Sequence, residues 1–176
     1  DQIQHIEITR DIANSFNNTY GDIFTLPEYR VDENVATVPG TDGAKMSKSY
    51  KNTIDMFGRK KVIKKQVMSI ITDSKELDES KEWENCNIYK LCELFMNEDE
   101  LKDLQIRYKT PGEGYGHFKL TLVDKINEHF TPYTERRQQL LDNPVEVKEI
   151  LALGAEKAQK IAQKKISQIR TIVGLN

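Results

Sequence analysis

Two lysines three residues apart, Lys45 and Lys48, stand in the run Lys45-Met46-Ser47-Lys48-Ser49, with Gly40 and Gly43 shortly before it. On a loop loosened by glycine, both ammonium groups can turn toward one polyphosphate while the hydroxyls of Ser47 and Ser49 donate hydrogen bonds. That arrangement suits a triphosphate. Two lysines alone also leave open a plainer reading, a solvated Lys/Ser loop without a ligand.

Other polar groups carry less information. At the start of the chain, Asp1 reads as a helix N-cap and His5 as a helix-face histidine without a catalytic role, and Arg10-Asp11 reads as a surface pair. Residues 59–65 and 157–170 are basic and 73–84 are acidic, so the formal charge of -2 conceals local polarity. Such stretches can meet a polyanion or simply form solvated faces. Cys86 and Cys92 lie six positions apart, which on a helix turns them to different faces and disfavours a disulfide or a metal pair. Both read as reduced core thiols in a cytoplasmic setting.

The lysine loop must be held by what surrounds it. Apolar residues Ile3, Ile6, Ile8, Ile12, Ala13 and Phe16 follow a helical period and predict a helix over 3–16, followed by a loop rich in Asn, Gly, Pro and charge. Val35 to Val38 predict a short strand that Pro39 ends. Residues 40–50 contain almost nothing apolar to anchor them and are expected to be mobile. Val62, Val67, Ile70 and Ile71 predict a helix within 59–71, and beyond it the pattern is helical throughout, over 87–96, 98–108, 118–141 and 145–173. The expected fold is therefore mostly α, with an antiparallel bundle after the loop. Asn143 resembles an N-cap followed by Pro144 at the first helical position and Glu146 near the positive end of the helix dipole, and Gly174 suits a C′ position. With 38% hydrophobic residues the chain can bury a core, no apolar run approaches the roughly 20 residues of a bilayer span, and the start lacks a signal-peptide layout.

The pentapeptide matches, letter for letter, the KMSKS signature of class I aminoacyl-tRNA synthetases, in the context of a strand before and a helix after that the signature requires. Residues 1–13 resemble that family's Gly-x-Asp-Gln-x-x-His-x-x-x-Thr-Arg-Asp helix from its first Asp onward, without the glycine. Arg107-Tyr108, the run from Gly114 to Lys119, the run from Gly154 to Ala158, Pro39 to Gly43, and Tyr50 to Ile54 are similar to the tryptophanyl branch in particular. Tyrosyl relatives share the architecture and match the tail less well.

The resemblance implies an ATP-dependent ligase. The loop would close over the β- and γ-phosphates of ATP while the amino-acid carboxylate attacks the α-phosphorus, with Lys48, and secondarily Lys45, neutralising the departing pyrophosphate. Met46, Ser47 and Ser49 would complete that contact, Asp1 would face the ribose, Ala36 would approach adenine through its backbone, and Gln2 would face the amino acid, L-tryptophan. Mg²⁺ would arrive with ATP, without a metal site of its own in these residues. The resemblance also implies a division into 1–57, the last helix, strand and lysine loop of a Rossmann-like α/β catalytic domain, and 58–176, a helical domain that reads the anticodon of tRNA(Trp). Candidates for RNA contact are Arg107, Lys109, Tyr115, Lys157, Lys160 and Lys164. Tyr115 between two glycines could equally pack a turn, and the lysines could serve only solubility. Relatives act as homodimers. The family's His-x-Gly-His motif is nowhere in these 176 residues, so the chain alone is expected to be inactive. A stand-alone helical RNA-binding module is the rival reading, with the lysines on a phosphate backbone.

Overall fold

The computed structural model describes residues 2–31 and 37–175. Among the described residues, six α-helices follow in order, α1 (Ile3–Tyr20), α2 (Lys60–Met68), α3 (Asn87–Cys92), α4 (Glu98–Lys109), α5 (Tyr115–Asp142) and α6 (Pro144–Ile172), with a 3-10 turn at Lys48–Tyr50. Among the described residues there is no strand. The expected strand over 35–38 falls partly outside them, at Val35 and Ala36, and the only extended pairing described nearby is an isolated bridge between Pro39 and Lys45. By internal contacts the chain forms two compact units, one of Asp1–Asp32 with Arg137–Asn176 and one of Glu33–Arg136. Helix α6 thus groups with α1, and α2, α3 and α4 group with the lysine loop.

The second unit holds the main core. Ile63 and Val67 face inward from α2 and are joined by Ile70 just past its end, a spacing of four and three residues that keeps one helical face. Val62 and Ile71, two of the four residues expected on that face, are 42% and 62% exposed, because the register is set by Ile63. From α5, Phe118, Leu122 and Ile126 repeat every four residues, and α4 contributes Leu104 and Tyr108. Phe118 and Tyr108 stack with ring centroids 3.9 Å apart and neither is exposed. The Tyr108 hydroxyl is satisfied by the Cys86 thiol at 3.4 Å, and burial pushes its ionisation far upward. Burial likewise raises the Cys92 thiol to about 12, so this cysteine is an inert core residue.

Polar groups inside the unit are placed against specific needs. Lys119 is buried, and its ammonium donates to the carbonyls of Met68 and Ile70, which the end of α2 leaves without amide partners. Helix α4 begins with a capping box in which Asn97 accepts from the amides of Asp99 and Glu100 while Glu100 reaches back to the Asn97 amide. Arg107 donates to both carboxylate oxygens of Glu113 and to Thr121, and its guanidinium lies 5.4 Å from the Phe118 ring centre. Shared hydrogen bonds hold the Glu113 carboxyl below the ordinary carboxylate range.

The first unit is more open. Gly21 ends α1 at φ 92° and sends the chain back along it, where the Asn17 side chain accepts from the amides of Ile23 and Phe24 and donates to the Phe24 carbonyl. Phe16 lies between Tyr20 and Phe24, and Lys165 on α6 donates to the Ile23 carbonyl. Helix α6 starts as its residues dictate, with the Asn143 side chain accepting from the Glu146 amide and Pro144 at the first position, and Gly174 follows it at φ 78°. No residue of α6 is buried.

Two stability outcomes follow from the core. Replacing Phe118 by alanine removes a fully buried ring and its stacking partner and is expected to cost about 3–5 kcal/mol by urea unfolding; a loss below about 1 kcal/mol contradicts the packing described. Because the Glu113 pKa is depressed, its contribution is complete above the unfolded value of about 4.3 and disappears as pH falls through the lower folded value. The urea midpoint of the unsubstituted chain should therefore drop faster below about pH 4.5 than that of Glu113→Gln, whereas parallel curves would remove Glu113 from the acid response.

Candidate functional site

The pentapeptide occupies a closed turn rather than a loose loop. Around the Pro39–Lys45 bridge, the Gly40 amide donates to the Ala44 carbonyl at 2.7 Å, Gly43 to the Gly40 carbonyl at 3.0 Å and Met46 to the Val38 carbonyl at 2.9 Å. Gly43 takes φ +81°, where a side chain would be strained. A 3-10 turn then runs from Lys48 to Tyr50 and is closed by Lys51 at φ 56°, with the Ser47 and Ser49 hydroxyls 2.7 Å apart. The turn is tied to the helical core at its base, since the Thr41 carbonyl accepts from the Ile71 amide at 2.9 Å.

Two residues anchor this segment, which holds almost nothing apolar besides Met46. Met46 is half-buried and packs against the main core. Asn52 is only 2% exposed, and its side-chain amide donates to Asp42 Oδ1 at 2.7 Å and to the Lys45 carbonyl at 3.0 Å, while its oxygen accepts from the Ser47 amide at 2.8 Å. Sequence reading passed over Asn52 because an asparagine in a polar, glycine-rich stretch carries no periodic signal of burial. Its mark in the sequence is indirect: a β-carbon on Gly40 would lie 2.2 Å from the Asn52 amide nitrogen, so the glycine is required by close approach.

With Met46 turned inward, Lys45, Lys48 and Ser49 have exposed side chains and Ser47 is half-buried. Both lysines thus project from one turn of defined backbone. The neighbouring carboxylate of Asp42 uses Oδ1 to accept from the Ala44 amide and from Asn52. Among the described residues no group of three His, Cys, Asp or Glu could hold a metal ion.

Of the other expected site residues, Gln2, Lys157, Lys160 and Lys164 belong to the first unit and Arg107, Lys109 and Tyr115 to the second. Asp1 and Ala36 lie outside the described residues. Gln2 precedes α1 with an exposed side chain that makes no cap hydrogen bond, while its carbonyl accepts from the His5 amide. Arg10 donates to the Pro27 carbonyl at 2.9 Å, beside a cavity of about 400 Å³ lined by Ile6, Glu7, Arg10, Pro27, Glu28 and Tyr29. In the second unit, Arg107 is engaged by Glu113 and Thr121, the Lys109 ammonium lies 4.5 Å from the Trp83 ring centre, and Tyr115 packs edge-on against Phe118. Burial, then a hydrogen bond to Asp73, pushes the Tyr115 phenol upward. Lys157, Lys160 and Lys164 belong to the other unit, exposed along α6 at a spacing that shares one face, with Lys160 paired to Glu156 at 2.7 Å.

Comparison with known proteins gives one consistent result. A tryptophan–tRNA ligase from Campylobacter jejuni is 57% identical over 175 residues, covering 99% of this chain and 55% of that protein, and one from Fusobacterium nucleatum is 49% identical over 99% and 54%. The crystal structure of tryptophanyl-tRNA synthetase from Campylobacter jejuni complexed with ADP and tryptophan matches with a TM-score of 0.84 at 56% identity, over 99% of this chain and 55% of that one. The chain thus spans about half the length of the curated relatives it matches. The family model described as tRNA synthetases class I (W and Y) matches residues 1–131, and with an intact Lys45-Met46-Ser47-Lys48-Ser49 turn on its helical core, the chain belongs to that family.

Proposed function

We propose that these residues supply the lysine-loop part of a tryptophan–tRNA ligase, which joins tryptophan to AMP at the expense of ATP and then transfers it to tRNA(Trp). The observation that carries this reading is the 57% identity to a tryptophan–tRNA ligase across 99% of the chain. The turn bearing Lys45 and Lys48 agrees with it chemically. In an in-line displacement at the α-phosphorus, negative charge builds on the departing pyrophosphate, and preorganised cations at that position stabilise the transition state more than the ground state.

Lys48 then neutralises the leaving group, with Lys45 beside it and the Ser47 and Ser49 hydroxyls available as donors; Mg²⁺ enters as part of the nucleotide substrate. Gln2 faces the amino acid, and Asp1 and Ala36 meet the nucleoside. On this reading 1–57 belong to the catalytic domain and 58–176 to the tRNA-reading part of a cytoplasmic homodimer. No helix among the described residues is long and apolar enough to cross a membrane.

Cost ranks the RNA candidates. Arg107 would have to leave a bidentate carboxylate and Tyr115 a packed position, so both suit structural roles better. The α6 lysines need only exchange water or one exposed Glu156 partner.

Two experiments on the full-length protein test these assignments. Lys48→Ala should lower kcat for tryptophan-dependent ATP–pyrophosphate exchange about 10²–10³-fold, the scale of a lost oxyanion donor, with little change in nucleotide affinity; weakened affinity at unchanged kcat refutes the role, and exchange supported by tyrosine in place of tryptophan moves the protein to the other branch. Replacing Lys157, Lys160 and Lys164 together by alanine should weaken tRNA binding and flatten its dependence on salt by roughly two to three charges, and an unaltered salt slope removes α6 from the interface.

A further inference from the structure

Asn52 has a side chain whose two donor hydrogens and whose oxygen are all engaged by the turn that carries the two lysines. An amide offers two donor hydrogens and an acceptor oxygen. Here the donors reach Asp42 Oδ1 at 2.7 Å and the Lys45 carbonyl at 3.0 Å, and the oxygen takes the Ser47 amide at 2.8 Å. Its main-chain carbonyl adds a fourth contact, accepting from the Thr41 amide at 2.9 Å. The side chain is 2% exposed, so water cannot replace these partners.

The bonded groups flank the lysines. Lys45 leaves the backbone at a residue whose own carbonyl is held by Asn52, and Lys48 follows directly on the residue whose amide is held. Gly40 is the counterpart in the chain, because any larger residue would put its β-carbon against the Asn52 nitrogen. No other side chain supplies the same set. Aspartate keeps the acceptor, loses both donors and faces the Asp42 carboxylate; glutamine is a methylene too long for a filled site; alanine leaves the Lys45 carbonyl and the Ser47 amide without their partner.

We infer that Asn52 is a positioning residue for the lysine pair: by fixing the backbone at 41, 45 and 47 and the carboxylate of Asp42 it sets the direction from which the Lys45 and Lys48 ammonium groups approach a phosphate. This rests on the reading of the turn as the pyrophosphate-stabilising element of a ligase. Asn52 acts through the lysines and does not itself touch substrate. Its loss should therefore appear in the chemical step, and only while the lysines are there to be positioned.

The test is a double-mutant cycle on the full-length protein, read by tryptophan-dependent ATP–pyrophosphate exchange, with thermal unfolding of each variant as a control. Asn52→Ala should lower kcat roughly 10–100-fold, the scale expected of a reacting group displaced by about 1 Å, with KM for tryptophan within about twofold. On a Lys48→Ala background the same substitution should cost less than about threefold, because its target is gone. Independent factors that multiply in the double variant, or a normal kcat in Asn52→Ala, overturn the inference. If Asn52→Ala does not fold, Asp42→Ala carries the same cycle: Asp42 is exposed yet holds the Asn52 amide, so a smaller loss that vanishes beside Lys48→Ala supports the inference, and a loss that persists there overturns it. Failure of the ligase reading looks different, since Lys48→Ala would then exchange at full rate by itself.

Discussion

A segment bearing two positive charges has little reason to hold one shape, since its own side chains repel and its glycines favour disorder. At the centre of what holds it here is one buried amide, with backbone bonds and a docked methionine around it. Asn52 closes the turn from beneath while Met46 docks on the core, and the carbonyl of Thr41 takes the amide of Ile71. Each hydrogen bond is worth about 1 kcal/mol net, but a buried group left without its partner costs more than that. The turn is thereby closed as a unit, through backbone groups and the side chains of Asn52 and Asp42.

The same logic runs deeper into the helical unit. Ile71 can offer its amide to Thr41 because the chain leaves α2 at a fixed point, and that point is set by the Lys119 ammonium on the carbonyls of Met68 and Ile70. Burial lowers the Lys119 pKa, which makes the amine costly to keep charged and its carbonyl partners correspondingly important. Lys119 in turn is placed by its neighbour Phe118, locked against Tyr108, and by Leu122 one turn on. An aromatic stack in the core and an exposed lysine turn are thus joined by a short series of specific contacts.

Much of this was legible, for identifiable reasons. The lysine pentapeptide is a letter-for-letter signature, and Asn143-Pro144 and Gly174 declare the limits of α6 through backbone chemistry that depends on single residues. Helix α4 is delimited nearly as its period predicts. Register was harder: α2 turns Ile63 inward and leaves Val62 exposed, a choice between adjacent β-branched residues that only packing makes. The helix expected over 87–96 stops at Cys92, because Leu94, Phe95 and Met96 pack as a turn against the core before the Asn97 cap opens α4. Residues 145–173 read as a further helix of one bundle, yet α6 groups with α1 through long-range contacts that no local pattern encodes. Asn52 stayed hidden for the same reason, its meaning lying in residues five, seven and ten positions back.

That last case changes how a mobile loop should be pictured. Composition alone suggests a segment that samples many shapes and is selected by its ligand, which lowers affinity by the fraction of competent molecules. A turn closed by the Asn52 amide and by backbone bonds at Gly40, Gly43 and Met46 has already met that cost during folding. Any displacement of the turn must either break those bonds together or carry residues 39–52 as one piece. The second costs less, because the bonds lie within the piece and only its attachment to Ile71 and the core has to yield. Bracing the backbone and placing Lys45 and Lys48 at the surface are then complementary features: the turn keeps its shape while both lysine side chains stay exposed.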